Sequence, residues 1–192
     1  MCIRDSSNMK TTSTLAAFTG LLSAASAQYF GLTAARSASP IHYQTLTASG
    51  QSIWLNKATS AYCPENIEEL GGCPSGDFTT FAGGDNTLAM GVVVPGGQEV
   101  YIEPTTGAVK YTIAHSVAKP EGSIVTGWST AAGNGFGVLS NENGGFLACP
   151  CEEEEGAWKV YAALEGLEFD DECLGFSALA SNATDAGAWQ YN

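Results

Sequence analysis

Charge is scarce in this sequence, and basic charge scarcest. Of 192 residues only 14% are Asp, Glu, Lys or Arg, with 7 basic residues against 20 acidic. A net charge of −13 repels phosphate backbones and anionic lipid, which argues against nucleic-acid and membrane-surface roles. Histidine is almost absent, with only His42 and His115. There is no G-x-S-x-G elbow, P-loop, dinucleotide fingerprint or metal-spaced cluster, so serine hydrolysis, nucleotide chemistry and metal catalysis have no motif behind them. Both histidines read as structural. A glycoside hydrolase needs only two facing carboxylates, but most acids here sit in turns, such as Asp77, Asp85 and Asp170-Asp171-Glu172. No catalytic residue, metal or cofactor is therefore assigned. No apolar run is long enough for a transmembrane helix, and residues 186–192 lack the hydrophobic tail of a GPI signal.

The remaining composition is that of a turn-rich β domain. Glycine is abundant at 23, and 44% apolar content is enough for a buried core. Residues 1–8, opening Met1-Cys2-Ile3-Arg4-Asp5-Ser6, resemble translated adaptor sequence. Residues 9–27 then read as a signal peptide: Met9 and Lys10, a short apolar stretch over 14–22, and the small-residue cleavage site Ala25-Ser26-Ala27. Gln28 would begin the mature chain, and 28–192 a single domain.

Without Cys2, five cysteines remain, an odd number that suits a secreted chain with one thiol left over. Cys63 and Cys73 are assigned to each other, closing a short loop. Cys173 is assigned to Cys149, with Cys151 competing for it. The four glutamates at 152–155 read as a solvated hairpin tip.

Short β-branched or aromatic runs predict strands over 41–46, 51–56, 88–94, 99–103, 108–113, 145–149 and 158–163. Turn chemistry separates them at 83–86, 95–97, 106–107 and 141–144, and one helical turn is expected over 65–70. Three blocks recur at a spacing of 47: Gly50-Gln51-Ser52-Ile53-Trp54-Leu55, Gly97-Gln98-Glu99-Val100-Tyr101-Ile102 and Gly144-Gly145-Phe146-Leu147-Ala148-Cys149. In register, Ile53, Val100 and Leu147 align, as do Leu55, Ile102 and Cys149, all expected to face inward. Three such units predict an all-β, β-trefoil-like domain, with a β-sandwich as the alternative. In the trefoil, residues 188–191 would close against 41–46.

Several blocks also resemble a known family. Ala35-Arg36-Ser37-Ala38-Ser39-Pro40-Ile41-His42, Tyr62-Cys63-Pro64, Val93-Val94-Pro95-Gly96-Gly97-Gln98, Ala114-His115-Ser116, Gly145-Phe146-Leu147-Ala148-Cys149-Pro150, Cys173-Leu174-Gly175-Phe176 and Ala188-Trp189-Gln190-Tyr191 stand in the order of the fungal phialide-associated, PhiA-like cell wall proteins. Some members of that family are described as IgE-binding allergens. The resemblance implies a secreted wall glycoprotein linked to phialide and conidium development, with no catalytic residues to carry over. Its partners would be wall polysaccharide or other wall proteins. A Cys149–Cys173 bridge fits the family blocks, leaving Cys151 as a free thiol or a link between chains; the pattern does not ask for Cys151.

A carbohydrate-binding module is the alternative reading. Such sites stack exposed aromatic rings on the apolar faces of sugars. Trp54, Tyr101 and Trp128 are the main candidates, with Trp158 and Trp189 behind them. Asn182-Ala183-Thr184 is an N-glycosylation sequon, expected in a surface loop over 181–187.

Overall fold

The structure, a computed structural model, describes residues 28–132 and 136–192. The adaptor and signal-peptide readings of 1–8 and 9–27 lie outside the described residues. No helix among the described residues is long and apolar enough to cross a membrane.

The first strand, β1 (Tyr29–Ala35), alternates strictly, with Phe30, Leu32 and Ala34 buried. It is followed by β2 (Leu46–Ser49), β3 (Ser52–Leu55), β4 (Ala61–Tyr62), a single helical turn α1 (Glu65–Glu68) and β5 (Phe81–Met90). Next come β6 (Val100–Ile102), β7 (Val109–Tyr111), β8 (Trp128–Ala132) and β9 (Gly137–Asn141). The series ends with β10 (Phe146–Pro150), β11 (Trp158–Ala162), β12 (Leu174–Ala183) and β13 (Gln190–Tyr191).

Eleven of these strands form one antiparallel sheet in the order β1-β5-β8-β9-β12-β10-β11-β3-β7-β6, with β2 hydrogen-bonded to β3. The sheet curls strongly into a half-barrel. β1 also pairs with β12 along its whole length, from Tyr29↔Ala183 to Ala35↔Ser177, so β1, β5, β8, β9 and β12 make a closed circuit. β13 and β4 form a separate two-stranded ladder. One contiguous apolar cluster, including Trp128, Tyr111, Tyr191, Phe81 and Ile53, fills the interior.

The all-β single domain expected from composition is present; the trefoil arrangement is not. The three blocks at a spacing of 47 do become β3, β6 and β10, all within one sheet. Ile53, Leu55, Val100 and Ile102 face inward as the pattern requires. The third block is out of phase. Phe146 and Ala148 are buried, while Leu147 and Cys149 lie on the half-exposed opposite side. A slip of one residue exchanges the two faces of a strand, so the alignment at 147 and 149 does not reflect shared geometry. The strands join in one continuous sheet through β12, which pairs with β10 at its start and with β9 further on.

Three local readings also change. Residues 41–44 turn instead of extending, and β2 starts at Leu46. Residues 83–86 do not end a strand. Gly83, Gly84 and Asn86 take positive φ inside β5, bending it while ladders continue on both sides, at Tyr29↔Ala82 and Asp85↔Ser129. Finally, residues 188–191 close against different partners: β13 pairs with β4 through Gln190↔Tyr62, and Ala188 bridges Val92.

Candidate functional site

The three aromatic residues proposed from sequence to contact sugar are all buried. Trp54 lies on the outer side of β3, opposite Ile53 and Leu55, but it is roofed over. Lys57 Nζ stands 4.4 Å from the ring centroid and Lys159 Nζ 5.5 Å, while the indole N–H donates to Ser49 O at 2.8 Å. Lysine stems laid along apolar surface cover it in this way while keeping their ammonium groups wet. Tyr101 shares that outer side. Burial raises its phenol pKa, and the negative charge of Glu103 raises it further. Glu103 itself is held below the ordinary carboxylate range, first by the Thr106 hydroxyl and then by Lys110 at 3.6 Å. Trp128 points into the core, its ring stacked on Phe146 at 6.3 Å between centroids. None of the three presents a free face to a ligand.

The cysteines sit as follows. Cys63 is bonded to Cys73 and Cys149 to Cys173, while Cys151 is a half-buried free thiol. The Cys149 bridge clips the outer side of β10 and does not belong to the core, contrary to the inward position assigned from the repeat. Residues 152–155 form the exposed tip between β10 and β11, and Glu154 reaches Lys57 Nζ at 2.6 Å. His42 accepts the Arg36 backbone N–H on Nδ1 and stacks on Tyr43. His115 is exposed in a tight turn at φ 61°. Asn182 is exposed, but it stands at the end of β12 rather than in a loop, and its Oδ1 accepts from Gln28 Nε2 at 3.2 Å.

A different surface gathers exposed rings and polar groups. Two adjoining clefts, of about 280 and 270 Å³, share Thr59 and Asp77. The first is walled by β1, the entry to β2 and the end of β12, and contains Thr33, Thr45, Thr47, Phe78 and Asn182. The second is walled by Tyr62, the 74–77 segment and Trp189. Tyr62 is 50% exposed and Phe78 49%, large fractions for rings whose backbones are so firmly held. Tyr62 is fixed by the β4–β13 ladder and by the adjacent Cys63–Cys73 bridge. The Phe78 carbonyl accepts the Tyr191 hydroxyl at 3.1 Å, and the Trp189 carbonyl accepts the Val94 N–H at 3.0 Å. The floor is set by Thr79, whose hydroxyl accepts the Ala48 N–H and lies 3.0 Å from that of Thr59.

Sequence reasoning passed over Tyr62 and Phe78 because neither belongs to an alternating run. That isolation was the available signal. Asp77-Phe78-Thr79-Thr80 places one ring among polar residues, with no apolar neighbour at period two to bury it.

Known proteins give a consistent picture. The family described as PhiA-like secreted protein matches residues 30–192. An uncharacterized secreted protein of Arthroderma benhamiae is 31% identical over 162 residues, covering 76% of each chain. The cell wall protein phiA of Aspergillus fumigatus is 25% identical over 170 residues, covering 85% of each chain. No solved structure matches the chain. On the extent of the family match and the identity to the Arthroderma protein, the chain belongs to the PhiA-like secreted protein family.

Proposed function

We propose that this chain is a structural, non-catalytic glycoprotein of the fungal cell wall, serving the walls of phialides and conidia. The Aspergillus relative named as a cell wall protein supports the location. The observation carrying the non-catalytic part is the use made of the buried polar side chains. Gln98 binds the backbone of residues 112 and 191, Thr79 binds residue 48, and Thr80 binds residues 91 and 187. These groups tie distant segments of one scaffold together. Catalytic sites instead tend to hold titratable side chains with pKa values shifted for proton transfer. The partners in this reading are wall polysaccharide and other wall proteins.

The test is wall fractionation. An epitope-tagged chain expressed in a conidiating filamentous fungus should stay with the wall through salt washing, and the purified protein should release no reducing sugar from wall polysaccharide. Recovery from the medium alone, or measurable polysaccharide hydrolysis, would overturn the reading.

A further inference from the structure

We propose that the double cleft around Asp77 binds a neutral pyranose polymer, with Tyr62, Phe78 and Trp189 as its stacking rings. The inference rests on the wall reading above and names the partner by its chemistry. Three features select that chemistry. First, half-exposed rings on a rigid backbone offer flat apolar faces at little ordering cost, which suits the C–H face of a sugar. Second, the two clefts are lined by hydroxyls and one carboxylate, which match sugar hydroxyls. Third, neither cleft is lined by Lys or Arg, and the chain carries a net charge of −13, so an anionic polymer such as a polyuronate is disfavoured. Asp77 has no ion-pair partner among the described residues, leaving its oxygens to accept from ligand hydroxyls. The two clefts meet at Thr59 and Asp77, so the ligand is a chain rather than a single sugar.

The experiment is calorimetric titration of the folded protein with chitohexaose, laminarihexaose and polygalacturonate. Binding of either neutral oligomer, weakened about tenfold by Tyr62→Ala or Phe78→Ala and unchanged by Tyr43→Ala, is the expected result. The chito- and laminari- arms distinguish an acetamido sugar from a plain glucan as the source of the chemistry. Tyr43 is 71% exposed and lines neither cleft, so it controls for non-specific ring contact. Both groove rings are half-exposed, and circular dichroism will show that the variants fold. No neutral oligomer binding at about 1 mM, equal binding by the groove variants, or preferential binding of polygalacturonate would each overturn the proposal. Wall retention is measured separately, so this site can fail while the structural reading stands.

Discussion

Gln98 does for residue 191 what a neighbouring strand would do. Its amide N–H groups donate to the carbonyls of Thr112 and Tyr191, both at 2.9 Å, and its Oε1 accepts the Tyr191 N–H at 2.8 Å. At 2% exposure, no water can replace those bonds. Gln98→Leu is therefore expected to lower unfolding stability by about 2–4 kcal/mol, measurable by urea denaturation, because buried backbone groups lose their partners. Two tyrosines flank this node. The Tyr111 hydroxyl donates to Asn192 O at 2.7 Å, and the Tyr191 hydroxyl accepts the Thr80 N–H and donates to Phe78 O. Burial pushes both phenols above their ordinary pKa of 10, Tyr111 far above it. The folded state thus keeps protons that the unfolded chain gives up above about pH 10, and stability must fall as pH rises past that point. Melting temperature should be flat from neutral pH to about pH 10 and drop above it. Tyr111→Phe should make the alkaline drop shallower, while costing about 1 kcal/mol at neutral pH for its lost hydrogen bond.

The β10–β11 hairpin allows a direct comparison of its two cysteines. Cys149 is bonded to Cys173 across a separation of 24 residues, whereas the Cys151 side chain has no covalent partner. Cys149→Ser should lower stability by about 2–4 kcal/mol. Cys151→Ser should change it little, since the Cys151 backbone bond to Ala157 survives the substitution. Thermal melts of the two variants check this, and equal losses would contradict it. The hairpin also shows what could be read before the fold was known. Its two strands and acidic tip were legible because alternation and charge are local signals. So was the β6–β7 hairpin, where Val100↔Tyr111 and Ile102↔Val109 flank a turn with Gly107 at φ 75°. β12 was missed because its buried residues, Ala178 and Ala180, are too small to signal a strand, and β1 because its alternation through Phe30, Leu32 and Ala34 is short and interrupted by Gly31. They are strands because each supplies the other's hydrogen bonds, which is tertiary information. β5 was cut short because its glycines read as a turn. The burial of Trp54 and Tyr101 was not legible for a related reason: alternation locates the sides of a strand, but not which side another segment covers. Trp54 and Tyr101 do lie on the outer side, and other side chains close over them.

Taken whole, the molecule keeps its polar rim near the end of β12, where Asn182 lies exposed beside the first cleft. A glycan there would sit at the groove's edge. Peptide-N-glycosidase treatment of protein made in a fungal host should reduce its mass by one N-glycan, and Thr184→Ala should abolish that change. The remaining consequence concerns time rather than equilibrium. The closed circuit of strands is completed by β1 on β12, and Gln28 and Asn182, hydrogen-bonded at its mouth, are 154 residues apart in sequence. A chain delivered progressively from its amino end presents Phe30, Leu32 and Ala34 long before the strand that covers them exists. Such distant closure makes folding slow, on the order of milliseconds to seconds, with an apolar edge open to wrong partners meanwhile. The yield of this protein in secretion should accordingly depend on how well that early strand is shielded while the rest of the chain arrives.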